Sequence, residues 1–394
     1  MNSEATTQPI TLAYLAQNRI RLKRGTEVPR TIDSLYGNSI REKSVRAQQK
    51  HSWKASGSDG SPFGAMLWGR SAITGDIPIA ITSICGGRNP GALLYSLQSG
   101  SLCALLEIGE MGAEERRVWN DNRTQIRHVS VSAETGDMVF SVLHENGTAT
   151  IGVKMAGEGG LKELTEGDSF DTAPRWSRGG SRKILFQSAG IGRNREGHFL
   201  ALGPFSIQQL DMETAEMTTI LESAKFDYLA PQSQADGSLL YIRRPYSQGT
   251  HVHPLRVLKD VALFPFRLLA AVFGFLNFFS SAFTGKQLTS GTGKKHELDM
   301  RQMMIWGNLV RAQRPRGAPE ESADLVPKSW ELCCRNSGGE TKVLAGGVLA
   351  YDVRDDGRVV FTNGSAIYLL HPDGRKEHLL NEAMIEQVFF VPNQ

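Results

Sequence analysis

The chain has 394 residues, of which 40% are hydrophobic and 22% charged, and a net charge of +3. That length and balance describe a globular protein rather than a disordered one, and so small a positive surplus excludes a dedicated nucleic-acid binder. Glycine is frequent, at 41 residues, as many tight turns require.

Charge is unevenly placed. Residues 1–54 hold ten basic and four acidic side chains, a surplus of +6, which leaves −3 for the remainder. A basic arm on a mildly acidic body is the form of an electrostatic docking segment, and equally of a solvated tail. The arm is expected over residues 1–50, partly helical around Ile10–Arg24. Ile10–Leu15 is too short and too polar for a secretory signal, which predicts a cytoplasmic protein. Cys85, Cys103, Cys333 and Cys334 show no framework spacing and read as free thiols of a reducing compartment. Cys85, Cys103 and one of the adjacent pair are expected in the core, since neighbours on a strand face opposite sides.

From Val129 onward a pattern recurs. Phe170–Phe186 runs from a Phe-Asp pair through Pro174, Trp176 and a polar turn at Gly180 into an apolar strand. Phe226–Ile242 is read as repeating that spacing, from the Phe-Asp pair through Pro231 to the turn Gly237. Val129–Ser141 and Leu349–Phe361 are weaker copies with turn glycines Gly136 and Gly357. The four glycines lie 44, 57 and 120 residues apart, the last interval being about one period plus a long insertion. Periods of roughly 40–50 residues with several short strands each are the mark of propeller blades. A second hairpin follows the marked strands, as in Ala366–Leu370, His371-Pro372-Asp373-Gly374 and Lys376–Leu380, and Asp-Gly turns between apolar runs are hairpin chemistry.

These residues resemble the TolB-like, WD-like propeller repeat, whose blades carry P-x-W-S-P-D-G-x-x-I-A-F. Pro174, Trp176, Ser177, Gly180, Ile184 and Phe186 match it. Arg178 and Gly179 stand where the family has Pro and Asp, and the copy at Pro231 keeps Asp236 and Gly237 but lacks the Trp. The resemblance covers residues 125–245 and 328–392, about half the chain, and implies an all-β propeller. Six blades fit the length, with five or seven as alternatives, and residues 51–246 and 328–394 would supply them. Val388–Val391 should pair near the start of the propeller and close the ring, because closure removes exposed sheet edges. Trp176 is expected between blades, and Asp171 and Asp227 as equivalent turn-capping residues.

Residues 247–327 interrupt the third repeat inside one blade. Val261–Phe283 is close to the length that spans a membrane as a helix. Both ends must return to the same blade, however, and Met303–Val310 is too short for a second crossing. Asp260, Arg267, Gly274 and Ser281 recur every seventh position, which on a helix over about 258–283 makes a narrow polar stripe on a wide apolar surface. Pro265 would sit in its first turn. Such a helix suits a membrane interface, with Phe264, Phe266, Leu268, Leu269, Val272, Phe273, Phe275, Leu276, Phe278 and Phe279 among acyl chains. Arg256, Lys259, Lys286, Lys294 and Lys295 would face anionic headgroups. A partner protein's groove or the propeller's own side would cover the same face. Gln287–Lys295 reads as a flexible tether.

No catalytic motif stands out. Gly69-Arg70-Ser71-Ala72-Ile73 fails the nucleophile-elbow pattern at its last position, and Gly285-Lys286 and Gly293-Lys294 lack the first glycine of a phosphate loop. Gly190-Ile191-Gly192 has no third glycine in register. His251-Val252-His253 has no third metal ligand nearby. His128, His198, His371 and His378 are scattered and suggest no role. The expected function is therefore a non-enzymatic protein-binding scaffold without metal or cofactor, held at a membrane surface or membrane protein by its insertion. The alternative is an enzyme or small-molecule binder using the central funnel. The two differ at the funnel, which in an enzyme should gather charged side chains of perturbed pKa.

Overall fold

The computed structural model describes residues 10–55, 79–109, 114–179, 182–246, 302–305, 308–311 and 325–391. The chain divides into a large unit, Met1–Tyr246 with Ala312–Gln394, and a small one, Ser247–Arg311.

The large unit opens with strands β1 (Thr11–Ala16), β2 (Arg19–Arg24) and β3 (Arg30–Ile32), paired antiparallel in chain order. The helix expected over Ile10–Arg24 is thus a hairpin. In β2 the apolar Ile20 and Leu22 alternate with basic residues, a period of two that a helix would scramble across its faces. In β1 Leu12 and Tyr14 pack into one core cluster while Ala13 and Leu15 pack into another, so both faces are buried. The helix of this region is α1 (Leu35–Ala55) instead. Ser34 Oγ accepts the backbone N–H of Gly37 at 2.9 Å and Glu115 accepts that of Tyr36 at 2.6 Å, so two otherwise orphaned donors of the first turn are capped. Tyr36 and Ile40 then anchor the helix on the core.

Antiparallel meanders follow. The first comprises β4 (Ile79–Gly86), β5 (Leu93–Ser99), β6 (Leu102–Ile108) and β7 (Glu115–Asp121). The second comprises β8 (Gln125–Val131), β9 (Met138–Leu143), β10 (Ala149–Lys154) and the short β11 (Lys162–Glu163). The next comprises β12 (Ser169–Trp176) and β13 (Lys183–Arg193), whose far end also pairs β14 (Phe199–Leu202), then β15 (Ser206–Asp211) and β16 (Met217–Leu221). One parallel pair, Ala149 with Phe170, links it to the preceding meander.

After β17 (Phe226–Ser233) and β18 (Leu239–Pro245) the chain leaves for the small unit, described as the hairpin β19 (Gln302–Ile305) and β20 (Asn308–Arg311). On its return β21 (Glu331–Arg335) pairs directly with β18, Leu239 against Arg335 and Arg243 against Glu331, and β22 (Thr341–Gly346) completes the sheet. The last meander is β23 (Ala350–Val353), β24 (Val359–Thr362), β25 (Ala366–Leu370) and β26 (Lys376–Asn381). Finally β27 (Ile385–Phe390) pairs with β1, Leu12 against Phe390 and Tyr14 against Val388, as the closing-strand expectation required.

The inner strands touch in turn: β4 with β8, β8 with β12, β12 with β17, β17 with β23, β23 with β27, and β27 with β4. Core clusters lie between neighbouring sheets. Val139 and Ile151 pack on Ile184, Phe186 and Leu210, and Leu185 and Ile207 on Leu239, Tyr241 and Cys333. Trp176 packs at the first of these junctions and donates its indole N–H to the Asp137 carbonyl at 3.1 Å, the inter-sheet position expected of it. All four cysteines are free thiols, with Cys85, Cys103 and Cys333 buried.

Bulges mark the repeat. The pairing of β12 with β13 skips Ala173-Pro174, and that of β17 with β18 skips Ala230-Pro231. Ala173 and Ala230 both take left-handed φ, 53° and 50°. Pro174 and Pro231 are therefore equivalent. In β8 the same bulge holds His128-Val129, with His128 at φ 53°. Gly237 and Gly357, at φ 80° and 79°, close matching hairpin turns in which Asp236 and Asp356 accept the N–H two residues on, a conformation that favours glycine. Gly180 lies outside the described residues.

Counting back from the bulges, Asp171 aligns with Tyr228, not with Asp227, because the second copy has one more residue between the Phe-Asp pair and its Pro. Neither carboxylate caps its own turn. Asp171 accepts Ser188 Oγ at 2.7 Å; Asp227 accepts the N–H of Phe205 at 2.9 Å and pairs with Arg244 at 2.7 Å.

Candidate functional site

The inner strands bring together side chains that are far apart in sequence. β8 contributes Arg127 and His128, β12 Arg175, β23 Tyr351 and Asp352, β27 Glu386, and β4 Cys85. Arg175 acts electrostatically on Cys85, His128, Tyr351 and Asp352, groups on three other inner strands. Arg127 likewise acts on Glu386, although β8 and β27 are not neighbours in the ring. Both arginines act on His128, so the two are near one another on adjacent inner strands.

Burial sets the titration of this cluster. Desolvation, reinforced by Arg127 and Arg175, pushes the His128 imidazole down to about 3, so it is neutral at physiological pH. Its Nδ1 lies 3.3 Å from Ser141 Oγ. Burial raises Asp352 and Glu386 above the usual carboxylate range, and the arginines oppose that shift. Asp352 Oδ2 is occupied by the N–H of Phe390 at 2.9 Å. The Cys85 thiol is pushed up to about 12 by burial, which rules out a ready nucleophile. Tyr351 donates its hydroxyl to the Ala230 carbonyl at 2.7 Å, and Gln232 Nε2 donates to the Tyr351 carbonyl at 3.1 Å, tying β17 to β23. Among the described residues no three metal-ligating side chains converge.

From the sequence, Cys85 was expected only as a core thiol and His128 was given no role; Arg127, Arg175, Tyr351, Asp352 and Glu386 were not singled out as a site. Arg175, Tyr351 and Asp352 sit on the first strands of their repeat copies and Glu386 on the last strand, a placement that aligning the copies would have suggested. The residues that were singled out, Phe264, Phe266, Leu268, Leu269, Val272, Phe273, Phe275, Leu276, Phe278 and Phe279 with Arg256, Lys259, Lys286, Lys294 and Lys295, lie outside the described residues, as do His251 and His253. Among the described residues no helix is long and apolar enough to cross a membrane.

Solved structures share this arrangement of sheets. TolB from Acinetobacter baumannii superposes with a TM-score of 0.51 at 11% identity, over 98% of this chain and 67% of that one. A chain of the nidogen/laminin complex gives 0.51 at 6% identity, over 98% and 99%. The fold is a TolB-like β-propeller. At these identities the likeness establishes the propeller and nothing of its activity. No protein-family model and no curated protein sequence matches the chain.

Proposed function

We propose that this chain is a non-enzymatic, six-bladed propeller that binds proteins, with the segment 247–327 attaching it to a membrane surface or to a membrane protein in the cytoplasm. Six is the number of inner strands that abut in turn: β4, β8, β12, β17, β23 and β27. A chain of the nidogen/laminin complex shares the fold, in keeping with a binding use of it.

The observation that carries the attachment reading is the direct pairing of β18 with β21. The sheet is complete without anything between them, so the intervening residues are an addition that the propeller does not need for its own hydrogen bonding. That addition contains the most apolar stretch of the chain, Val261–Phe283, flanked by Arg256, Lys259, Lys286, Lys294 and Lys295. An apolar stretch of this length with basic flanks suits lipid or a partner's groove.

The test is co-sedimentation with vesicles of varied anionic content. Replacing Lys286, Lys294 and Lys295 with Glu should weaken binding roughly a hundredfold, since each basic contact near an anionic surface contributes about 1 kcal/mol. Phe275→Asp with Phe279→Asp should abolish it independently of salt. If the intact protein ignores vesicles of every composition, the lipid reading fails and a protein must cover this segment.

A second reading has its own support. The ring centre gathers Arg127 and Arg175 with His128, Asp352 and Glu386, and the titration of the last three is shifted, the pattern that distinguishes a ligand-binding funnel from a bland one.

A further inference from the structure

The arginines of the chain fall into two groups. Arg193 is held by Asp168, Arg243 by Glu331 and Arg244 by Asp227, each at 2.7 Å or less. Arg127 and Arg175, on adjacent inner strands, have no ion pair and no hydrogen-bond acceptor among the described residues, and Arg127 Nε is buried and unsatisfied. A guanidinium carries its charge at every accessible pH and presents five donors. Leaving a buried donor without an acceptor is costly, so such a group in a folded protein needs an explanation.

The neighbouring acids do not supply one. Asp352 and Glu386 feel the arginines electrostatically, yet neither lies within ion-pair distance, and Asp352 is engaged by the backbone of Phe390. His128, between the two arginines in sequence and bonded to Ser141, contributes no negative charge. Both arginines are only half-buried, so a solute can reach them. An acceptor with two or more oxygens and a negative charge has the shape that a planar guanidinium fork recognises in bidentate fashion.

We propose that the centre of the propeller ring is an oxyanion site, in which Arg127 and Arg175 together hold the carboxylate or phosphate group of a small anionic molecule. The proposal deepens the ligand-binding reading of the funnel and does not depend on the role of residues 247–327.

The experiment is calorimetric titration of the full chain, at low ionic strength, with inorganic phosphate and separately with succinate, and with chloride as a control. Saturable binding of at least one oxyanion at one site per chain is expected, with no matching effect of chloride. Arg127→Gln and Arg175→Gln should each weaken that binding at least tenfold. Arg127→Lys, which keeps the charge and loses the fork, should weaken it less than Arg127→Gln. Phosphate without succinate would assign a phosphorylated ligand, and the reverse a carboxylate. Thermal unfolding of the ligand-free Arg127→Gln protein should stay close to that of the native protein, whereas a purely structural arginine would lower it clearly. Failure of the native protein to bind either anion, or equal binding by both Gln variants, overturns the proposal. Should a Gln variant not fold, the native titration and the milder Arg127→Lys variant still decide it. Either outcome leaves the vesicle result untouched.

Discussion

The sheet formed by β17, β18, β21 and β22 holds a buried arginine, the centre of the ring two half-buried ones, and the two regions treat their charge in opposite ways. Arg244 has 6% of its side chain exposed, pairs with Asp227 at 2.7 Å, and lies 4.7 Å over the ring of Trp330. Arg127 and Arg175 have no such partner among the described residues. Where charge serves only the fold, the fold completes it with an acid and an aromatic face. Where it is left incomplete at the ring's middle, its cost is tolerated for something outside the chain. The same propeller thus contains a closed charge and an open one, and substitutions should separate them.

The largest effect belongs to the closed pair. Asp227→Ala leaves Arg244 charged and buried and removes the acceptor of the Phe205 N–H. Breaking a buried pair on one side costs about 3–5 kcal/mol. The denaturation midpoint should fall accordingly. A double variant, Asp227→Leu with Arg244→Met, should recover much of the loss, because a buried pair replaced by apolar residues of similar volume is often neutral. A single variant as stable as the native protein would show that the pair does not hold these strands.

His128 comes next. Above its ordinary pKa of 6.5 the folded and unfolded chains are both neutral there. As pH falls below that value the unfolded chain takes up the proton and the folded chain does not, until about pH 3. Stability is therefore lost through that window, by about 2 kcal/mol at pH 5 from this residue alone. Asp352, Glu386 and Asp171, raised by burial, act in the opposite sense: the folded state binds their protons first, so they add stability as pH falls through the carboxylate range. The His128 part is isolated as the difference between native protein and His128→Asn, chosen because Asn tolerates the left-handed backbone at this position. The variant's stability should fall less between pH 7 and 5 than the native protein's does.

The repeat was legible because turn chemistry and bulge-plus-proline spacing are local properties of the chain. Pro174 and Pro231, Gly237 and Gly357, and the closing strand through Val388 could be read that way. β1 could not. Leu12, Ala13, Tyr14, Leu15 and Ala16 are all buried, and a short run apolar on both faces has no period by which strand and helix differ. β2, with Arg19, Arg21, Lys23 and Arg24, looked like a basic arm because its charge masked the alternation of Ile20 and Leu22. The offset between Asp171 and Asp227 was in the sequence, as one extra residue before the second proline, and the strand register shows its consequence: Asp171 aligns with Tyr228. The ring centre was the least legible part. Arg127 and Glu386 are far apart in sequence, on strands β8 and β27, and no window along the chain contains both.

The smallest effect on the empty protein should come from the open charges. Arg127→Gln removes a buried, unsatisfied Nε donor and a full charge, while Gln keeps part of the aliphatic stem. Loss of packing would destabilise, and relief of desolvation would stabilise. With the two opposed, the net change in unfolding free energy without ligand should stay within about 0.5 kcal/mol, the range of substitutions that break no satisfied interaction. Arg175→Gln should behave alike, with a secondary sign: removing its charge relaxes the opposition to burial at Asp352, whose proton should then be held more tightly, and lessens the downward push on His128. Following the His128 ring resonances by NMR through an acid titration reads that sign directly. An upward move of the imidazole titration in the variant fits a guanidinium at the ring's middle. An unchanged His128 titration would place Arg175 away from it and undo the contrast between the closed pair and the open one.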